Sequence, residues 1–230
     1  MIKLLLVFLL GMLSVLGFAP FYLFPVPVFA LAILLRLCHV SASPRKAAAL
    51  GFGFGMGLFS AGVTWLYVSL HDFGAMPTPV AIAALIVLCA YLSLFPATSL
   101  WLLARLRLAT PMLWAAAAGA LLMLSEWLRG YLFTGFPWLA LGYSQAPDSP
   151  LVGFAPILGV YGISFLLIFS AVMLFFWFDS GFRTRRYAVT FCALWMGGFA
   201  LQMIEWVQPE GEPVTVSLLQ GNIAQDLKWR

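Results

Sequence analysis

The chain has 230 residues, of which 63% are hydrophobic and 9% charged, whereas an ordinary soluble domain is roughly 45–50% apolar and about 25% charged. So few polar side chains cannot cover a water-soluble globule of this length. That excludes the soluble class and points to a bilayer, where apolar side chains face lipid tails.

Taken in chain order, seven stretches approach the ~20 apolar residues that a spanning helix needs: 2–19, 21–38, 47–70, 79–104, 112–128, 152–178 and 187–206. Turn chemistry or charge divides them, as in Ser41-Ala42-Ser43-Pro44-Arg45-Lys46 and His71-Asp72-Phe73-Gly74. The first stretch, with Lys3 ahead of it and Gly17-Phe18-Ala19 behind, also fits a secretory signal. Pro20 would then follow the cut, where proline is unwelcome, so the stretch is read as an uncleaved span.

Charge sets the expected threading. With the N-terminus on the cytoplasmic side, Lys3, Arg36, Arg45, Lys46, Arg105, Arg107, Arg183, Arg185 and Arg186 all fall on that side. Arg129, Lys228 and Arg230 fall outside, together with every acid except Asp179. The net charge of +4 is therefore a topology signal, and nucleic acid is not an expected partner.

Within the spans, Gly51, Gly53, Gly55 and Gly57 form two overlapping small-xxx-small pairs, read as close helix packing. Cys38, Cys89 and Cys192 lie apart in apolar stretches and read as small buried hydrophobes; no metal-ligand spacing or cofactor motif is evident. His71-Asp72 reads as a solvated pair capping the third stretch. Glu126 and Arg129, at i and i+3, read either as a paired interface anchor or as a headgroup-binding pair, since charge at membrane depth is a functional signal. The outer run Tyr131 to Gln145 is rich in aromatics, Gly and Pro. It suits an interfacial belt or a lipid-facing substrate site.

After residue 206 the composition changes. Val207-Gln208-Pro209-Glu210-Gly211-Glu212-Pro213 is a polar linker, and Val214 to Leu219 alternate like a strand before a turn at Gln220-Gly221-Asn222. A lone strand cannot satisfy its edges, so residues 207–230 are expected to open a second, outer domain after a transmembrane domain at 1–206.

Several stretches carry a resemblance. Gly51-Phe52-Gly53-Phe54-Gly55-Met56-Gly57, Thr64-Trp65-Leu66-Tyr67 with Phe73-Gly74, Glu126-Trp127-Leu128-Arg129-Gly130, Thr134-Gly135-Phe136-Pro137-Trp138, Gly142-Tyr143-Ser144-Gln145, and Gln220-Gly221-Asn222-Ile223 followed by Gln225 and Lys228-Trp229 together resemble the bacterial apolipoprotein N-acyltransferases. The resemblance implies an all-α polytopic membrane bundle of about seven transmembrane helices, followed by the first strand of a truncated nitrilase-like α/β domain. It implies an inner-membrane enzyme with its N-terminus cytoplasmic and this C-terminal end periplasmic. Such an enzyme moves an acyl chain from a phospholipid donor to the diacylglyceryl-cysteine of an apolipoprotein acceptor, through a Cys-Glu-Lys triad and a thioester. None of that triad is assigned within these residues, so the chain alone is expected to be inert. The residues carried over as substrate-binding are Trp229, Trp138 and Tyr143, with Glu126 and Arg129 beside them. A small lipid or solute transporter, or a membrane anchor protein, is the alternative from another class.

Overall fold

The structure, a computed structural model, describes residues 2–41, 43–106 and 108–223. Its helices are α1 (Ile2–Ser14), α2 (Pro25–His39), α3 (Pro44–Gly62), α4 (Trp65–Val68, continued by a π-turn at Ser69–Phe73), α5 (Thr78–Arg105), α6 (Pro111–Arg129), α7 (Ala155–Asp179) and α8 (Arg185–Gln202). Short 3₁₀ turns at Val15–Gly17, Leu132–Thr134, Leu141–Gln145 and Pro150–Phe154 fill the connections.

Hydroxyl–proline pairs start several of these elements. Ser43 accepts a hydrogen bond from the Lys46 amide at 3.4 Å, and Thr110 accepts one from the Leu113 amide at 3.2 Å. Ser149 does the same for Leu151 ahead of α7, at 3.3 Å. In each case proline takes the first helical position, where its missing N–H costs nothing.

Packing along the chain alternates in direction. Gly11 of α1 lies against Phe54 and Leu58 of α3, and Gly57 of α3 against Phe8 and Met12, so these two helices run parallel. On the other flank of α3, Gly51 meets Pro96 and Ala97 of α5 while Gly55 meets Ser93, an antiparallel register. The two glycine pairs thus serve different neighbours. A Cβ at Gly57 would overlap the Phe8 carbonyl, and one at Gly51 the Pro96 carbonyl, so backbones touch where side chains would separate them. Ser99 of α5 donates to the Leu121 carbonyl of α6 at 3.0 Å, an interhelical tie.

Helix α7 is the axis of the bundle. Leu167, Ile168, Ala171, Val172 and Met173 are wholly buried, among them Ser164 and Ser170. Near its start the helix breaks at Gly159, whose φ of +63° needs a residue without a Cβ. At one end of the bundle the α2 and α7 termini are tied by Arg36 Nε donating to Asp179 Oδ1 at 2.6 Å. This basic end also carries Lys3, Arg45, Lys46, Arg105 and Arg183 to Arg186. The opposite, aromatic end carries the α1–α2, α3–α4 and α6–α7 connections.

The outer surface is apolar. Ile86, Val87, Val189 and Met196 are each more than half exposed on helix faces, which water would not tolerate over so large an area. Three helical stretches, Thr78–Arg105, Pro111–Arg129 and Pro150–Asp179, are long and apolar enough to cross a bilayer. Pro44–Gly62 with Trp65–Phe73 makes a fourth if the bent pair is one span, while Ile2–Gly17 and Pro25–His39 are shorter apolar helices.

Three expectations need correction. The third stretch is not one helix over 47–70: it bends by 55° between Gly62 and Trp65. The β-branched pair Val63-Thr64 weakens the helix there, and the Leu139 side chain is seated against Gly62 where a continuing helix would need room. Residues 214–219 form no strand; they are irregular and exposed, as expected of a strand sequence with no neighbour to take its hydrogen bonds. Among the described residues there is no strand at all. Cys38 and Cys89 are buried, but Cys192 is exposed on the apolar face of α8.

Candidate functional site

The site is built where α6 ends. Glu126 and Arg129 occupy its last turn and both are buried, at 8% and 2% exposure. No direct ion pair joins them among the described residues. Each is spent on the backbone of the loop that follows. Arg129 Nη1 donates to the Trp138 carbonyl at 2.7 Å, with its guanidinium 4.8 Å from the centre of the Phe59 ring. Glu126 Oε1 accepts from the Leu141 amide at 2.9 Å; its second oxygen is buried and has no partner.

The loop itself folds back into the bundle. The Gly142 amide donates to Ser164 Oγ of α7 at 2.7 Å, and Gly142 sits so close to Val160 that a side chain there would strike its carbonyl. Gln145, wholly buried, donates from Nε2 to the Phe24 carbonyl at 3.3 Å and to Ser144 Oγ at 3.1 Å. Leu151 is also fully enclosed. Phe133, Thr134 and Leu139 hold φ of +50°, +73° and +59°, a region that non-glycine residues avoid. Such strain persists only where the surroundings over-determine it. At Leu139 the buried Arg129 and Glu126 supply that constraint, through the Trp138 carbonyl on one side and the Leu141 amide on the other.

The pinned loop forms one wall of a groove of about 600 Å³ at the aromatic end. Pro137, Trp138 and Tyr143 line it from the loop, Phe18 and Tyr22 from the α1–α2 connection, and Trp65 from the α3–α4 break. The Trp65 and Trp138 rings lie 5.7 Å apart, and Phe136 is 5.7 Å from Trp138. Trp138 and Tyr143 are half exposed, so their faces are available to a bound molecule. The groove is apolar with phenol and indole groups at its rim, suited to a chain that is oily along its length and polar at one end.

The structure therefore brings Trp138 and Tyr143 to one groove and sets Glu126 and Arg129 beneath it as supports. Trp229 lies outside the described residues. His71 stays apart: its Nδ1 donates to the Met76 carbonyl at 2.8 Å and its ring stacks on Tyr67, 5.2 Å away, with Asp72 4.0 Å from Nε2. Sequence reasoning missed Ser164, Tyr22 and the structural part played by Gln145. Ser164 carried a signal, a hydroxyl inside an otherwise apolar span; Tyr22 carried none.

An apolar helical bundle with three helices long enough to cross a bilayer, or four with the bent pair, and an aromatic groove walled by a loop folded back onto it, defines a membrane protein. The family model described as the apolipoprotein N-acyltransferase N-terminal domain matches residues 10–173. The chain is 57% identical over 228 residues to the apolipoprotein N-acyltransferase of Nitrosomonas europaea, covering 99% of this chain and 46% of that protein. It is 41% identical to that of Chromobacterium violaceum and 40% to that of Vibrio cholerae, covering 43% of each. The chain belongs to the apolipoprotein N-acyltransferase family, and it spans a little under half the length of these curated relatives.

Proposed function

We propose that this chain is the membrane portion of an apolipoprotein N-acyltransferase, and that the groove at its aromatic end receives the acyl donor. The observation that carries the reading is that Trp138 and Tyr143 share one groove at the end of the bundle from which the chain departs. There Gln202, the last residue of α8, donates to the Ser149 carbonyl at 2.9 Å before residues 203–223 run out from the bundle.

In this reading all seven stretches cross the inner membrane, α3 and α4 as one bent span. The basic end faces the cytoplasm and the aromatic end the periplasm, in line with the bias of Lys and Arg. Residues 1–206 are the transmembrane domain. Residues 207–230 begin a periplasmic nitrilase-like domain in which 214–219 pair as a strand once neighbours are present. A cysteine thiolate of that domain attacks the phospholipid ester carbonyl and expels a lysophospholipid, leaving a thioester. The α-amino group of the diacylglyceryl-cysteine then attacks the thioester, forms the amide and returns the thiolate. This chain's residues bind and orient: Trp138 and Tyr143, with Trp229 from the adjoining domain, hold the donor against the bilayer surface, and Glu126 and Arg129 fix the loop.

The test is acyl transfer by the full-length protein in proteoliposomes, from phosphatidylethanolamine to a diacylglyceryl-cysteine peptide. Trp138→Ala with Tyr143→Ala is expected to slow transfer roughly tenfold, the loss of two aromatic contacts to the donor. Unchanged transfer by the double variant removes the groove from the reaction. Threading is checked separately by cysteine labelling: a cysteine at exposed Phe133 is expected to react with an impermeant maleimide from the periplasm, and one at Lys46 only after the membrane is opened.

A further inference from the structure

At the opposite end of the molecule a second recess has no part in this chemistry. Lys3 and Lys46 both line a cleft of about 440 Å³, formed where the start of α1, the end of α2 and the start of α3 meet. Ser41 and Val40 complete its mouth, and Leu4, Leu37, Ala49 and Leu50 its floor. Neither ammonium has an acidic partner among the described residues. The one carboxylate at this end, Asp179, is held by Arg36.

The cleft does not stop at the lysines. Leu4 and Ala49 also line a furrow of about 650 Å³ that continues along α1 and α3 through Phe8, Phe52, Gly53 and Met56 to Ala97 of α5. Its bed is recessed because Ala48, Ala49 and Gly53 carry little or no side chain, so a slot runs down the apolar flank of the bundle. Two cations with no acidic partner among the described residues therefore stand at the head of a slot that opens along the apolar flank of the bundle.

We infer that this slot holds one anionic phospholipid of the leaflet at the basic end, its headgroup phosphate between Lys3 and Lys46 and an acyl chain along the α1–α3 furrow. A free phosphate would use the lysines and leave the furrow to no purpose, and a zwitterionic lipid would use the furrow while its own ammonium competes with the lysines. An anionic lipid uses both, and basic recesses between membrane helices suit such headgroups. The lipid bridges α1 to α3 beside the contact made by Gly53, on the side away from the acyl-transfer groove.

The experiment is native mass spectrometry of the full-length protein released from detergent, titrated with phosphatidylglycerol, with phosphatidylethanolamine, or with inorganic phosphate. One phosphatidylglycerol is expected to remain bound, held at least about tenfold more tightly than phosphatidylethanolamine, with no retention of phosphate. Lys3→Gln with Lys46→Gln is expected to lower that affinity about tenfold, and Ala49→Leu, which fills the junction between mouth and furrow, to do likewise. Equal retention of the two lipids, or an unchanged affinity in the lysine double variant, overturns the inference; so does phosphate binding with no preference for lipid. If the double variant does not fold, salt serves instead: phosphatidylglycerol retention that is indifferent to ionic strength also overturns it, because exposed ammonium groups are screened. Acyl transfer read on the same samples separates the two proposals, since the lysine variants are expected to transfer normally while losing the lipid.

Discussion

Replacing Arg129 with alanine is expected to cost about 3–5 kcal/mol of stability and to free the loop between α6 and α7 for proteolysis. The magnitude is that of removing one partner from a buried charged arrangement. Arg129 is 2% exposed, donates to the Trp138 carbonyl and lies over the Phe59 ring. Its loss leaves that carbonyl without a donor and the Glu126 carboxylate buried with no cation beside it. Arg129→Lys keeps the charge but not the planar fork, and should fall between the two. Glu126→Gln retains an oxygen for the Leu141 amide and removes the charge. The Arg129→Ala, Glu126→Gln double variant should therefore be less damaging than the two single costs added together. Thermal unfolding in detergent, with limited proteolysis across residues 130–149, reads both effects. An Arg129→Ala protein within about 0.5 kcal/mol of the parent would mean that the loop does not depend on this residue.

The second large effect is expected from a single methyl group. Gly57→Ala should destabilise the bundle by about 1–3 kcal/mol, because the new Cβ meets the Phe8 carbonyl and the Met12 amide of α1. Backbone cannot step aside as a flexible side chain can, so α1 must shift away from α3 along its length. Gly197→Ala in α8 is the matched control. There a Cβ would meet only the tip of the Phe154 ring, in ordinary van der Waals contact at 3.6 Å. Relief of glycine's backbone entropy should make that change neutral or stabilising by up to about 1 kcal/mol. Equal unfolding temperatures for the two variants would show that the close approach of α1 and α3 contributes nothing.

Much of this architecture was legible because a bilayer imposes a simple rule. The sequence leads one to expect seven apolar stretches; each contains helix, the third in two bent pieces, and three of these helices, or four with the bent pair, are long and apolar enough to cross a bilayer. The glycines of α3 announced close packing through their spacing, although not that alternate pairs serve opposite neighbours; only the helical rotation between positions 51 and 53 shows that. The loop after Arg129 was harder. Its residues follow neither a 2.0 nor a 3.6 period, and its path is set by contacts to Glu126, Ser164 and Phe24 that lie 15, 22 and 121 residues away along the chain. The aromatic run suits a belt or a site, and nothing in its composition says that Gln145 is buried while Tyr143 stays open. Glu126 and Arg129 were noticed for their charge, but their attachment to loop carbonyl and amide groups is tertiary information. The strand pattern at 214–219 marks the opposite case, a local preference that has no partner here to realise it.

The double glycine seam of α3 has a mechanical consequence for the groove. With a carbonyl of α1 lodged over Gly57 and one of α5 over Gly51, α3 is keyed on both flanks and cannot slide or roll past either neighbour without lifting off. The bundle beneath the groove is in effect a stator. Movement at the groove is then left to the elements beyond this seam, among them the 55° bend after Gly62, which hangs Trp65 on a short arm opposite Trp138.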